Sequence, residues 1–250
     1  DRMIDLVRAE LLKVRTTRGW YVYLGLIVLL VGLGVSGDIG TAEDPTRSSA
    51  EYQRGVVEGA GFALLLALIL AITVVTTEFR HGTITPTLLT TPRREIVIVA
   101  KAIAAILVSI GFALLAFLTL AVVGSIWLAA VGADNKLGDP EVLGAAAKLL
   151  LAAPIWALVG IAVGVLVQSQ VAALVGTLIW IFLAETIIVA LLELLDVGGL
   201  ADYLPFQALD AADGTNPDLL PYWTAVGVSL AWALVLGAAG TERLRRRDIT

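Results

Sequence analysis

Glu185 is the side chain whose chemistry is hardest to place, because it interrupts a run of apolar residues, 171–192. An ionised residue at the centre of a membrane helix costs about 2.5–3.5 kcal/mol on insertion scales, so this carboxyl must face protein or water. Two roles are open to it. It either contacts a substrate, cation or proton in a central cavity, or it is a structural carboxyl hydrogen-bonded to a neighbouring helix. Trp180 and Phe182, with Trp156 and Trp232, are candidates to line such a cavity, although aromatics at helical spacing also serve simply as packing. Catalytic chemistry is otherwise absent. With no cysteine there is no disulfide, thiolate metal site or cysteine nucleophile, and the one histidine, His81, excludes most multi-histidine metal sites. The chain contains no HExxH, GxSxG or GxxxxGK[ST] pattern, so no catalytic or metal-binding residue is assigned and no Walker-type ATP hydrolysis is expected of it. If ATP drives the protein, another subunit carries it.

The second group of polar residues lies between two apolar segments, at 78–101. Gly82 can end the preceding helix, Thr85 can N-cap a new one, and Pro86 suits a first helical position. Pro92 disfavours helix just before itself, which leaves about one and a half turns at 86–91. The segment reads either as a docking loop with a short helix or as an ordinary connector. Glu78 and Arg80 are expected to pair or to hold the loop in register, an exposed interaction below about 1 kcal/mol. Lys101, at the start of the next apolar run, is expected to snorkel to lipid headgroups.

The elements that position these residues follow from composition. The chain has 250 residues, is 58% hydrophobic and only 16% charged, with a mean hydropathy of +0.91, far too apolar for a soluble domain. We expect an all-α polytopic membrane protein forming a single transmembrane domain over 1–250. Residues 2–18 place Met3, Ile4, Val7, Leu11 and Val14 on one side of a helix, with Arg2, Asp5, Arg8, Lys13 and Arg15 elsewhere, which predicts an amphipathic helix at the interface. This charged opening is not the pattern of a secretory leader, and none is expected. Six spans follow at about 20–36, 59–77, 102–130, 143–167, 171–192 and 219–239. Gln168, Ser169 and Gln170 are the only polar cluster within 143–193 and predict a tight turn there. Residues 193–218 hold six acids and no Lys or Arg, yet include Tyr203, Leu204, Pro205, Phe206 and Leu209, which predicts short helices lying on the outer membrane face. Of the 17 Lys and Arg residues, 13 fall before span 1, at 78–101 or after span 6. The positive-inside rule then expects both termini in the cytoplasm and 78–101 on the same side.

With these features in place, the chain resembles the permease subunits of type 2 ATP-binding-cassette (ABC-2) exporters. The resemblance rests on the amphipathic helix, the six spans, and a loop reading Glu78-x-Arg80-x-Gly82-Thr83, then Leu88-Leu89-x-x-Pro92-x-Arg94 and Lys101. It implies that Glu78, Arg80, Gly82, Thr83, Pro86, Leu88, Leu89, Pro92 and Arg94 belong to a coupling segment that contacts a separate ATPase subunit. It further implies a pair of permease subunits, identical or not, around the substrate path in a bacterial plasma membrane. ATP and Mg would sit on the partner ATPase, with no cofactor on this chain and no nucleic-acid partner. The cargo expected is amphiphilic, a drug, lipid or hydrophobic peptide, since the spans offer few charges to a polar solute. The competing expectations are a proton-driven secondary transporter using Glu185, and a membrane scaffold or sensor that transports nothing.

Overall fold

The structure is a computed structural model that describes residues 2–16, 19–43, 46–82, 94–214, 216 and 218–246. Its elements are α1 (Arg2–Thr16), α2 (Gly19–Thr41), α3 (Ala50–Gly59), α4 (Phe62–Arg80), α5 (Arg94–Ala130), α6 (Pro140–Val167), α7 (Gln170–Ile179), α8 (Glu185–Leu194), α9 (Pro205–Asp213) and α10 (Tyr222–Arg245). Among the described residues, six helices are long and apolar enough to cross a membrane: Gly19–Thr41, Ala50–Arg80, Glu95–Ala130, Pro140–Val167, Gln170–Leu194 and Tyr222–Arg245. The protein is an all-α polytopic membrane protein.

Helix limits follow local chemistry rather than hydropathy. Asp139 caps α6, its Oδ1 accepting from the Glu141 amide at 3.1 Å, and Pro140 takes the first helical position. At the far end Gln168 turns left-handed at φ 59° and, with Ser169, separates α6 from α7. Pro154 is accommodated inside α6, which continues past it. The span expected from residue 219 begins as helix only at Tyr222, after Pro221. Within the connection expected at 37–58, α2 extends to Thr41 and α3 leads directly into α4. Buried Gln53 joins that connection to the next one. Its Nε2 donates to the Arg47 and Asp134 carbonyls at 2.8 and 2.7 Å, and its Oε1 accepts from the Lys136 amide at 2.7 Å.

Helices α4 and α6 form the centre of the bundle, and α10 packs along the other side of α6. In lipid, apolar helices gain little from hiding apolar surface against one another, so close backbone approach decides which pairs form. Glycine makes that approach possible here. A Cβ on Gly160 would lie 2.6 Å from the Leu68 carbonyl oxygen and 2.8 Å from Ala71 Cβ, and one on Gly164 3.0 Å from Val75 Cβ. One on Gly240 would lie 2.7 Å from the Leu166 amide nitrogen. The Gly160-xxx-Gly164 pair is thus used within the chain, between α4 and α6.

Helix α9 departs from expectation in orientation. It does not lie on a membrane face but stands along α6, deep in the bundle. Its first turn meets Trp156, with the Phe206 and Trp156 rings 5.9 Å apart, while Gly214 just past its end lies against Lys148. Trp156 is 16 residues into α6, about 24 Å along it. The sequence permits this because Phe206, Ala208, Leu209, Ala211 and Ala212 are all buried.

Gly160→Ala is expected to cost about 1–3 kcal/mol by overpacking. Gly111→Ala, where an added Cβ meets nothing within 4 Å, should be neutral or slightly stabilising. Thermal unfolding midpoints in detergent check the contrast, and equal midpoints would contradict the close packing.

Candidate functional site

On the inward side of α1, Met3, Leu6, Val7, Leu11 and Val14 form a stripe three and four residues apart, and Glu10 falls in the middle of it. The packing of α1 on α5 therefore takes a carboxylate indoors. Two other charges meet it there: Glu78 from the last turn of α4, and Lys101 from the second turn of α5, only 2% exposed. Lys101 Nζ donates to Glu10 Oε2 at 2.8 Å and to Glu78 Oε1 at 2.6 Å. Lys13 Nζ, one helical turn beyond Glu10, donates to Glu10 Oε1 at 2.7 Å and to Glu78 Oε1 at 2.8 Å.

The result is a closed ring of two carboxylates and two ammoniums with no net charge. Neutrality is what allows it to be buried, because an isolated ion taken out of water costs several kcal/mol even after relaxation. Burial alone would lower the Lys13 pKa, but its hydrogen bonds and charge attraction to Glu10 and Glu78 outweigh that and hold it above the ordinary lysine value. The contribution of Lys13 is therefore fully present through neutral pH and is lost only as pH rises through that raised value.

The ring clamps both stems of the 83–93 segment to α1, and further contacts bind the same stems to the rest of this end of the bundle. Arg80 Nη1 donates to Gln170 Oε1 at 3.2 Å, at the start of α7. Glu95 forms an ion pair with Arg245 of α10, beside an apolar cluster of Val97, Phe79, Ile98 and Leu244. Gly82, at φ +68°, supplies the left-handed turn that ends α4. Displacing either stem thus disturbs α1, α7 and α10 together.

A further buried acid lies toward the other end. Glu185 is 1% exposed; its Oε1 accepts from the Phe206 and Gln207 amides at 2.9 and 2.8 Å, and its Oε2 from Trp180 Nε1 at 2.5 Å. Those two amides belong to the first turn of α9, whose N–H groups have no partner within their own helix. No side chain of α9 or of the preceding Leu204 caps it, so Glu185 supplies the acceptor and the negative charge that a buried helix N-terminus requires. Immediately before Glu185 the helix widens into a π-turn at Trp180–Ala184.

A model of the ABC-2 family transporter proteins matches residues 6–184, well over half of the chain. The chain belongs to the ABC-2 transporter family. No curated protein matches it. The family is one of permease subunits, generally without enzymatic activity of their own, and the matched region includes most of α1 and both loop stems and ends just before Glu185.

In this ABC-2 permease the structure corrects two expectations. Lys101 does not snorkel to headgroups; Glu10 and Glu78 offer it a closer and fully enclosed counter-charge. Glu78 and Arg80 do not pair with each other, since successive positions two apart on a helix point away from one another, one toward the ring and one toward α7. Thr83, Pro86, Leu88, Leu89 and Pro92 lie outside the described residues, as does the side chain of Arg94. Glu185, Trp180 and Phe182 do not line one cavity: Glu185 is sealed under α9, Trp180 lines a groove between helices, and Phe182 is 66% exposed. Glu10 and Lys13 were the functional side chains missed. The signal for Glu10 was its place within an apolar stripe.

Replacing Glu185 by Leu leaves three donors, at least one of them fully buried, without an acceptor and is expected to cost about 1–3 kcal/mol for the buried amide and less for the other two. Glu185→Gln keeps an acceptor for the two amides and should lose distinctly less. Detergent melting together with proteolytic cleavage at 195–214 checks this, and a Leu variant as stable as wild type would remove the capping role.

Proposed function

We propose that this chain is the membrane subunit of an ATP-driven ABC exporter, working as a pair of permease subunits with a separate ATPase subunit that holds ATP and Mg. The observation that carries the reading is the ring of buried Glu10, Glu78 and Lys101 closed by half-exposed Lys13. A charged ring at the stems of one loop makes mechanical sense where that loop is pushed by a partner. Residues 78–94 then form the ATPase-contacting segment, with Arg80 and Gly82 at its near end and Thr83, Pro86, Leu88, Leu89, Pro92 and Arg94 beyond. The proposed orientation puts α1, these stems and the end of α10 at the cytoplasmic face of a bacterial plasma membrane, in keeping with the basic residues gathered there.

The substrate path is proposed to lie between two copies. Two voids within the bundle measure about 10 Å³ each, room for little more than a water. Helix 170–194 and α2 bury little of their apolar surface within the chain and leave broad faces for a second subunit. An amphiphilic cargo, a drug, lipid or hydrophobic peptide, suits such a path, because the acids and bases buried among the described residues at Glu185 and in the ring are already paired. Glu185 serves in this reading as the brace of α9 rather than as a proton carrier.

The test is co-purification in detergent with an ABC ATPase encoded beside it, comparing wild type with Arg80→Ala and Pro86→Gly. The ATPase is expected to accompany the wild type, and the variants to weaken binding or to uncouple ATP turnover. Absence of any ATPase, or binding indifferent to both changes, would refute the reading.

A further inference from the structure

Helices α7 and α10 both stand on α6 but leave a gap between them, a groove of about 270 Å³. Its floor is Val159, Val163 and Val167 of α6, and its closed end lies under Pro205 and Phe206 of α9, between Trp180 and Trp232. Neither indole offers it a free N–H, because Trp180 Nε1 donates to Glu185 and Trp232 Nε1 to the Tyr203 carbonyl at 2.9 Å. The wall is almost all carbon. Because α9 stands deep in the bundle, the groove occupies the half of the spanning helices nearer α1 and opens sideways, toward the medium around the protein. Water has no partners there, and in a bilayer that medium is hydrocarbon.

The open end of the groove carries the opposite chemistry. Below Val167, Arg243 Nη1 donates to the Leu166 carbonyl at 2.6 Å while its side chain remains exposed. A guanidinium has five N–H donors, so this one bond leaves others directed outward. Arg243 is seven residues beyond Leu236, on the same face of α10 that lines the groove. Across the mouth, two residues before Ala172, Gln170 holds the exposed guanidinium of Arg80. An apolar slot with a basic rim at the level of the headgroups matches one molecule: a phospholipid with an anionic head.

We propose that the groove between α7 and α10 holds one acyl chain of an anionic phospholipid from the leaflet on the α1 side, with its phosphate held by Arg243 and Arg80. The bound lipid completes the packing of α7 and α10 on α6 at the point where α7 widens into its π-turn. The assignment of that leaflet to the cytoplasmic side rests on the orientation proposed above, whereas lipid retention does not.

The test is native mass spectrometry of the full chain released from nanodiscs of phosphatidylcholine with a minority of phosphatidylglycerol. Three proteins are compared: wild type, Gly176→Phe and Arg243→Gln. Gly176 lines the groove, and an added Cβ there meets nothing within 4 Å, so phenylalanine fills the slot without backbone strain. Ala172→Phe, at the mouth, is a second filling variant should the first fold poorly. Wild type is expected to retain one phosphatidylglycerol, and the filled variants none. Arg243→Gln is expected to keep a lipid while its preference for phosphatidylglycerol falls about fivefold, the counterpart of the ~1 kcal/mol that one basic residue contributes at an anionic surface. The proposal is overturned by a wild type that carries no lipid, by equal retention of both headgroups, or by lipid that persists in both filled variants. It is also overturned by a lipid-free wild-type dimer that Gly176→Phe dissociates, which would give the groove to a second copy. No ATPase enters this measurement, so its failure is distinct from failure of the exporter reading.

Discussion

Three buried charges, closed into a ring by the half-exposed Lys13, constrain one end of this protein. Glu10, Glu78 and Lys101 come from three different helices, and none of these buried groups is tolerable in the interior without its counter-charges. The ring therefore works as a register pin. An apolar contact between α1 and α5 would allow the amphipathic helix to slide or roll at little cost, whereas hydrogen bonds of 2.6–2.8 Å lose most of their strength over a displacement of one ångström. The amphipathic α1 is thereby fixed to the two stems of the 83–93 segment. The proposed drive by a partner ATPase calls for a rigid link at this point.

The same physics recurs at Glu185 with a different partner. A helix that begins deep among apolar side chains exposes amides that lipid cannot satisfy. Glu185 turns that liability into a fixed position for α9, which in turn closes the groove between α7 and α10 from above. Between the two polar anchors the bundle depends on shape, with Gly160, Gly164 and Gly240 admitting backbone where any side chain would intrude. Stiff polar pins at two levels and close glycine packing between them leave helix 170–194 the least buried of the six long helices, with α2 and α10 next.

Much of this was legible in the residues. Hydropathy marks six helices because a membrane demands long uncharged runs, and Gly82, Asp139-Pro140 and Gln168-Ser169 mark breaks by local backbone chemistry that needs no tertiary context. The position of α9 was not legible. The acids at 193–218 suggested a surface location, but Phe206, Leu209 and their alanines were apolar enough to enter the bundle once Glu185, some 20 residues earlier, capped the helix start; a backbone acceptor pairing of that kind leaves no mark in the sequence. The ring was half legible. Glu10 stands out of place within an apolar stripe, and Lys101 is the one charge in a long apolar run, yet nothing short of the fold tells that they meet. Snorkelling was the reasonable expectation for a lysine near a span end, and a buried counter-charge overrode it.

The measurement that bears most directly on this account is a double-mutant cycle on the ring, read as unfolding free energy in detergent. Lys101→Met strands Glu10 and Glu78 with Lys13 alone, and is expected to cost about 3–5 kcal/mol. Adding Glu10→Met should restore part of that loss, since one neutral ion pair, Lys13 with Glu78, remains, giving a coupling of at least about 1 kcal/mol between the two sites. A Lys101→Met protein within about 0.5 kcal/mol of wild type, the range of an ordinary surface substitution, or losses that simply add, would contradict a ring that holds α1, α4 and α5 together.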